Sequence, residues 1–312
     1  MPKVLISDAM DDIAEKILLS NNIEVDVIIN FEPNELIKNI SNYEGLIVRS
    51  ATKVTKEVIE NAKNLKVIGR AGAGVDNIDI NSAKEKNIIV MNTPGGNTNA
   101  TAEHTLALLL SLSRKISKAD LTTHKGEWAK KNLKGNEIKG KTIGIIGFGN
   151  VGKRFAEICN ALGLKIMIFS KTFDAIKDQF PEYVSCDLKK ILKDADIISF
   201  HCKPNLDGSP IISAKDISIM KNNVLIINTA RGNLVSEIDL HDGIKKNNIG
   251  GIALDVFSEE PAKNNILFGL ENVLLTPHIA ASTVEAQIIV AEMIANQFVD
   301  YFLENKIKNS VI

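Results

Sequence analysis

The sequence predicts an α/β protein with two doubly wound parallel sheets, and three observations lead to that expectation. Short runs rich in Val and Ile alternate with longer amphipathic segments along the whole chain. Nearly continuous apolar strands separated by helices indicate parallel sheets covered on both faces. The alternation falls into two series joined at Asn92-Thr93-Pro94-Gly95-Gly96-Asn97, a cluster of turn formers. With 312 residues, 45% of them hydrophobic, the chain can bury a large core and divide into two domains.

In the first series the expected strands are Val4–Ile6, Val25–Ile29, Leu46–Val48, Val67–Ile68 and Ile88–Met91, with helical patterns such as Asp11–Ser20 and Lys56–Ala62 between them. The second series runs through Ile143–Ile146, Lys165–Phe169, Ile197–Phe200, Val224–Asn228, Ile252–Val256 and Val273–Leu275. Six strands with crossover helices match a doubly wound dinucleotide-binding arrangement. Ahead of them, Ala100–Lys115 is a long helical pattern containing Leu106, Leu109, Leu110 and Leu112. The closing segment Val284–Asn305 is helical again and can return to pack on the first domain. The expected division is residues 1–96 with 284–312 against residues 97–283.

The 37 basic and 38 acidic residues nearly cancel, which gives no electrostatic reason to expect nucleic acid or an anionic membrane surface. Cys159, Cys186 and Cys202 show neither paired nor metal-ligand spacing, so they read as reduced thiols and no metal is expected. The chain starts on a strand-like run, Val4-Leu5-Ile6, without the pattern of a signal peptide. Its most apolar run, Leu106 to Leu112, is too short to span a bilayer. A soluble, cytoplasmic protein is the expectation.

Gly147-Phe148-Gly149-Asn150-Val151-Gly152 fits the glycine-rich dinucleotide fingerprint, with an apolar strand before it and a helical run after it. Gly147 would permit the tight turn, and Gly149 would let the backbone approach a pyrophosphate. Gly152 would allow close helix–strand packing, with the phosphates facing the positive helix N-terminus. An acidic residue that bonds the ribose hydroxyls is expected roughly twenty residues on. Here the next strand ends Ile168-Phe169-Ser170-Lys171. A hydroxyl and a cation replace the carboxylate, so NAD remains the expected cofactor but NADP is tolerated, because no anion repels its extra phosphate. A plainer reading has Ser170 bonding the ribose and Lys171 in solvent.

Three further segments are Asn228-Thr229-Ala230-Arg231-Gly232, Leu254-Asp255-Val256-Phe257-Ser258-Glu259-Glu260-Pro261 and Thr276-Pro277-His278-Ile279. With the fingerprint they resemble the D-2-hydroxyacid dehydrogenase family, in order and spacing, over essentially the whole chain. Val48–Thr55, Gly69–Asn77 and Met91–Thr98 look most like the branch of that family that oxidises 3-phosphoglycerate. The resemblance implies a Rossmann-type nucleotide domain inserted into a discontinuous, flavodoxin-like substrate domain, with the active site in the cleft. It implies catalysis by an Arg, a Glu and a His, which fall on Arg231, Glu260 and His278. Further cofactor contacts implied are Asn150 and Val151 at the pyrophosphate, Ser170 at the ribose, and Cys202, Thr229 and Ala230 along the nucleotide. Asp255 falls at the nicotinamide carboxamide and Ala280-Ala281 beside the ring, while Cys202 stands where relatives can carry a hydroxyl.

The chemistry accounts for these residue types. Oxidising a secondary alcohol requires loss of the hydroxyl proton as hydride leaves carbon, and a His can accept that proton and return it. Glu260 against His278 would orient the ring and stabilise its charged form. Arg231 offers a planar fork of donors for a carboxylate and a carbonyl oxygen. Each residue alone has a plainer reading, as a surface ion pair, a turn cap or a loop residue. His104, His124, His201 and His241 have no motif partner and read as structural or solvated.

A phosphorylated substrate needs cations. Arg49 and Arg70 both follow apolar strands, and the resemblance suggests Arg49 for the phosphate with Arg70 as helper. The Ala71–Val75 turn, including Ala73 and Gly74, would present N–H groups to the substrate carboxylate. Lys130 and Lys131, just after Trp128, can add charge from a neighbouring subunit. Two alternatives stay open: a glyoxylate or hydroxypyruvate reductase with the same Arg, Glu and His, and a dinucleotide-sensing corepressor-like scaffold. The resemblance also implies a homodimer through the nucleotide domains and no regulatory extension after residue 312.

Overall fold

A computed structural model describes residues 1–29 and 31–312. The first expected series forms β1 (Lys3–Ile6), α1 (Ile13–Ser20), β2 (Glu24–Val27), α2 (Pro33–Asn39), β3 (Gly45–Val48), α3 (Lys56–Asn61), β4 (Val67–Arg70), α4 (Ile80–Glu85) and β5 (Ile89–Asn92). The five strands make one parallel sheet in the order β2-β1-β3-β4-β5. The helices start on side-chain caps where the sequence offers them: Thr55 accepts from the Val58 N–H and Asp79 from the Ser82 N–H.

The second series opens with α5 (Thr98–Arg114) and α6 (Ile116–His124), followed by β6 (Thr142–Ile146), α7 (Asn150–Ala161), β7 (Lys165–Phe169) and β8 (Val184–Ser185). Then come α8 (Leu188–Asp194), β9 (Ile197–Phe200), α9 (Ala214–Ile217), β10 (Val224–Asn228), α10 (Glu237–Lys245), β11 (Ile249–Leu254), β12 (Val273–Leu275) and finally α11 (Val284–Glu304). The sheet has seven parallel strands, β12-β11-β10-β9-β6-β7-β8, and strand order reverses between β9 and β6. One strand exceeds the expected six. β8 is only two residues long and partly exposed, too short to leave a period-two signature. β11 also begins earlier than expected, because Gly250 and Gly251 interrupt its apolar run.

The chain divides into two compact units, Met1–Asn97 with Ser282–Ile312, and Thr98–Ala281. In the first, alternate residues of each strand face opposite layers. Val4, Ile6, Ile47, Val67 and Met91 meet α1 and α11 through Leu18, Ile294 and Phe298. Leu5, Leu46, Val48, Ile68 and Val90 meet α2 to α4 through Leu36, Val58, Ile59 and Ala83. Beyond α11 the tail returns to the edge strand: the Val311 N–H donates to the Val90 carbonyl (2.9 Å) and the Asn92 N–H to that of Asn309 (3.2 Å). In the second unit, Ile143, Ile145, Ile197 and Ile227 pack on α5 and α7, and Ile198, Phe200, Ile226 and Ile252 on the opposite layer. Among the described residues no helix is long and apolar enough to cross a membrane, and no group of His, Cys, Asp or Glu could hold a metal ion.

Candidate active site

The turn after β6 has the geometry a pyrophosphate requires. Gly147 has φ 98°, and a Cβ there would lie 2.5 Å from the His201 carbonyl oxygen. A Cβ on Gly152 would collide with the Gly147 carbonyl, so α7 can start hard against the strand end only with glycine there. A Cβ on Gly149 would meet nothing within 4 Å, which leaves open space over the N-terminus of α7. Asn150 and Val151 form the first turn of that helix. These residues fit a dinucleotide, and the reversal of strand order beside β6 is where such ligands bind in open α/β sheets. Ser170, at the end of β7, has its hydroxyl 3.1 Å from that of Thr172, and Lys171 is exposed. Cys202 is part-buried in the loop after β9, and burial pushes its thiol up to about 11. Its neighbour His201 packs on Phe155 and lies 2.9 Å from the Ser199 hydroxyl; burial pushes this ring down to about 3, so it is neutral.

Arg231, Glu260 and His278 lie on the loops that leave the C-terminal ends of β10, β11 and β12. Asn228, buried at the end of β10, shapes the first loop: its side chain accepts from the Ala230 N–H (3.0 Å) and donates to the Arg231 carbonyl (2.7 Å). The Arg231 guanidinium also donates to the Ala230 carbonyl. A Cβ on Gly232 would overlap the Phe257 carbonyl group, so only glycine lets this loop lie against the segment that leads to Glu260. Glu260 accepts from the Phe257 N–H at 3.0 Å, and its other oxygen lies 2.6 Å from His278 Nδ1. An ionised carboxylate can only accept, so Nδ1 carries a proton, and in the neutral ring Nε2 is the nitrogen with the free lone pair. His278 has φ 54°, an uncommon conformation for a bulky residue.

The neighbouring backbone holds that conformation through Asp255. Its carboxylate is fully buried and accepts from Thr276 Oγ1 (2.5 Å), the Ile279 N–H (2.9 Å) and the Ala280 N–H (2.8 Å). Burial opposes its charge, but donors from His104, Thr276 and these two amides outweigh it and hold the carboxyl below the usual carboxylate range. Asp255 is thus bonded to the loop that follows β12. His104, set aside in the sequence for want of a motif partner, supplies one of the donors from α5.

In the first unit, Arg49 directly follows β3 and Arg70 is the last residue of β4, at the same end of a parallel sheet. The buried Asp8 after β1 accepts from the N–H of Arg49 (2.5 Å) and from Thr52 through both N–H and hydroxyl. Asn77 donates to the carbonyls of Arg49 and Thr52, so the Arg49–Thr52 loop is clamped from two sides, and the guanidinium donates to the Ala9 carbonyl. The Arg70 guanidinium lies over Gly72, the Ala73 carbonyl accepts from Asn92, and Gly74 is half-buried. Asp8 escaped the sequence reading, although Ser7-Asp8 directly follows an apolar strand, where such loops gather.

The D-isomer specific 2-hydroxyacid dehydrogenase family, through its NAD binding domain, matches residues 106–280. A D-3-phosphoglycerate dehydrogenase of Archaeoglobus fulgidus is 40% identical over 99% of this chain and 59% of its own length. The chain spans little more than half the length of such relatives. A hydroxypyruvate reductase of Thermotoga maritima is 42% identical over 91% of this chain and 93% of its own. The crystal structure of NAD+-bound 3-phosphoglycerate dehydrogenase from Entamoeba histolytica superposes with a TM-score of 0.84 at 29% identity, covering 100% of this chain and 98% of that one. A family match over more than half the chain, together with a relative aligned over nearly its whole length, establishes that this chain belongs to the D-isomer-specific 2-hydroxyacid dehydrogenases.

Proposed function

We propose that the protein oxidises D-3-phosphoglycerate to 3-phosphohydroxypyruvate, the entry reaction of serine biosynthesis. The observation that carries the reading is the 2.6 Å pair of His278 Nδ1 and Glu260, on loops neighbouring the one that bears Arg231. With Nδ1 engaged, His278 Nε2 takes the hydroxyl proton, and Glu260 stabilises the imidazolium that results. Arg231 binds the substrate carboxylate and the developing carbonyl oxygen. A bound nicotinamide would supply the hydride acceptor. Gly147, Gly149, Asn150, Val151 and Gly152 would hold its pyrophosphate, and Ser170 its ribose. Cys202, Thr229 and Ala230 would line the nucleotide, and Ala280 and Ala281 the nicotinamide. Asp255 acts by fixing the loop on which these alanines lie. Arg49 and Arg70 read the substrate phosphate, and the Ala73–Gly74 turn the carboxylate.

NAD is the proposed cofactor, with NADP accepted because Ser170 and Lys171 replace the usual carboxylate. A second reading, reduction of unphosphorylated hydroxypyruvate, is favoured by the Thermotoga relative, which matches nearly end to end. The protein is proposed to act in the cytoplasm as a homodimer. Supporting the dimer, Leu110, Ile116, Leu121 and Trp128 are exposed, and Leu121 lines a cavity of about 280 Å³ with Leu112, Leu270 and Leu274. A monomer mass by light scattering at working concentration would reject it.

The deciding experiment compares 3-phosphoglycerate with unphosphorylated D-2-hydroxy acids, and 3-phosphohydroxypyruvate with hydroxypyruvate and glyoxylate, each with NAD and NADP. Arg49→Ala is expected to weaken the phosphorylated substrates selectively, by about tenfold or more in kcat/KM for a lost charge-assisted contact. Equal losses on both kinds of substrate would remove the phosphate from the proposal and leave the dehydrogenase.

A further inference from the structure

Helix α5 presents two adjacent polar residues to all three loops that carry Arg231, Glu260 and His278. The Thr105 hydroxyl donates to the Thr101 carbonyl at 2.7 Å, so it can only accept from the Thr229 hydroxyl, 2.8 Å away. Thr229 stands two residues before Arg231. His104 Nε2 lies 3.1 Å from Thr276 Oγ1 and 3.3 Å from Asp255 Oδ1. Thr276 already gives its one hydroxyl proton to Asp255, so the proton between these groups and the imidazole belongs to Nε2. Thr276 precedes His278 by two residues, and Asp255 opens the loop that carries Glu260.

We propose that His104 and Thr105 are positioning residues for hydride transfer, bracing the strand ends that set the mutual geometry of Arg231, Glu260 and His278. The inference rests on the catalytic reading above. Neither side chain is assigned a contact with substrate or cofactor; both act through Thr229, Asp255 and Thr276. His104 completes the donor set of a carboxylate that is wholly withdrawn from water. Without that donor the carboxylate draws its remaining partners into a different arrangement, and two of these are the amides directly after His278. Small displacements of this kind reach the reaction rate, since about 1 Å of misplacement can cost on the order of a hundredfold.

The test uses the full chain with His104→Leu, His104→Gln and Thr105→Val. Amide exchange across residues 275–281 is measured without ligand, and kcat and KM with 3-phosphohydroxypyruvate and hydroxypyruvate. His104→Leu is expected to speed exchange of the Ile279 and Ala280 amides and to lower kcat by about tenfold or more, with KM changed much less. His104→Gln, which keeps an N–H donor at similar reach, is expected to recover most of both. Thr105→Val is expected to lower kcat with exchange at Ile279 and Ala280 unchanged, because it touches only the Thr229 loop. Unchanged exchange and kcat in His104→Leu, or a Gln variant no better than Leu in either readout, would overturn the proposal. A wild type inactive on every 2-oxo acid would instead overturn the catalytic reading, and exchange would still decide whether α5 braces the loop.

Discussion

Both oxygens of Asp255 engage the backbone that follows His278, and this explains how a bulky residue is kept at positive φ in an exposed loop. In the proposed reaction the proton is taken by Nε2 alone. His278→Ala is expected to lower kcat by roughly 10²–10⁴-fold, the usual contribution of a general base, while dinucleotide affinity stays near that of the wild type. Unchanged turnover would end the acid–base assignment. His201 yields a prediction about stability. Its ring ordinarily titrates near 6.5 and is held near 3 by burial, so between these values the unfolded chain binds a proton that the folded chain refuses. Stability should therefore fall as pH drops from 6.5 toward 3, by up to about 2 kcal/mol from this residue at pH 5. Urea midpoints at pH 7 and pH 5 for wild type and His201→Gln measure it, and equal pH dependence in both would exclude the ring as the source. The pairing of His278 with Glu260 is legible in the sequence because each sits in a short contiguous motif. His104 was not, because Thr276 is 172 residues away and the apolar pattern of α5 hides one polar position.

The elements fold from local signals that mostly read directly. β7, β9, β10 and β12 run as their apolar stretches do, because parallel strands buried on both faces need no alternation. β8 has no such local signal: its two residues pair with β7 just after Tyr183, which clusters with Phe148, Phe173 and Phe180, and such a cluster is tertiary. Helix α11 shows how one element can carry a unit's core. Phe298 is fully buried among Val4, Ile47 and Val67 and stacks edge-on with Phe302. Phe298→Ala is expected to cost about 3–5 kcal/mol by equilibrium denaturation. A loss below about 1 kcal/mol would mean that the layer collapses around the gap.

At the scale of the molecule, two compact units each possess their own sheet and core, so unfolding should not be a single all-or-none event. Calorimetry is expected to resolve two transitions, with a calorimetric enthalpy above the van't Hoff value. A dinucleotide at about 100 times its Kd should raise only the transition of the Thr98–Ala281 unit, by an amount equivalent to ~2.7 kcal/mol. One transition that moves as a whole would show that the units melt together. The return of the tail to β5 bears on a different property, the behaviour of concentrated solutions. An uncovered edge strand offers a row of free N–H and C=O groups that can recruit a strand from another molecule. Residues 309–311 occupy part of that row, so they are expected to hinder edge-to-edge pairing there. Deleting the last four residues should leave catalysis nearly intact yet shorten the time the protein stays clear on the bench.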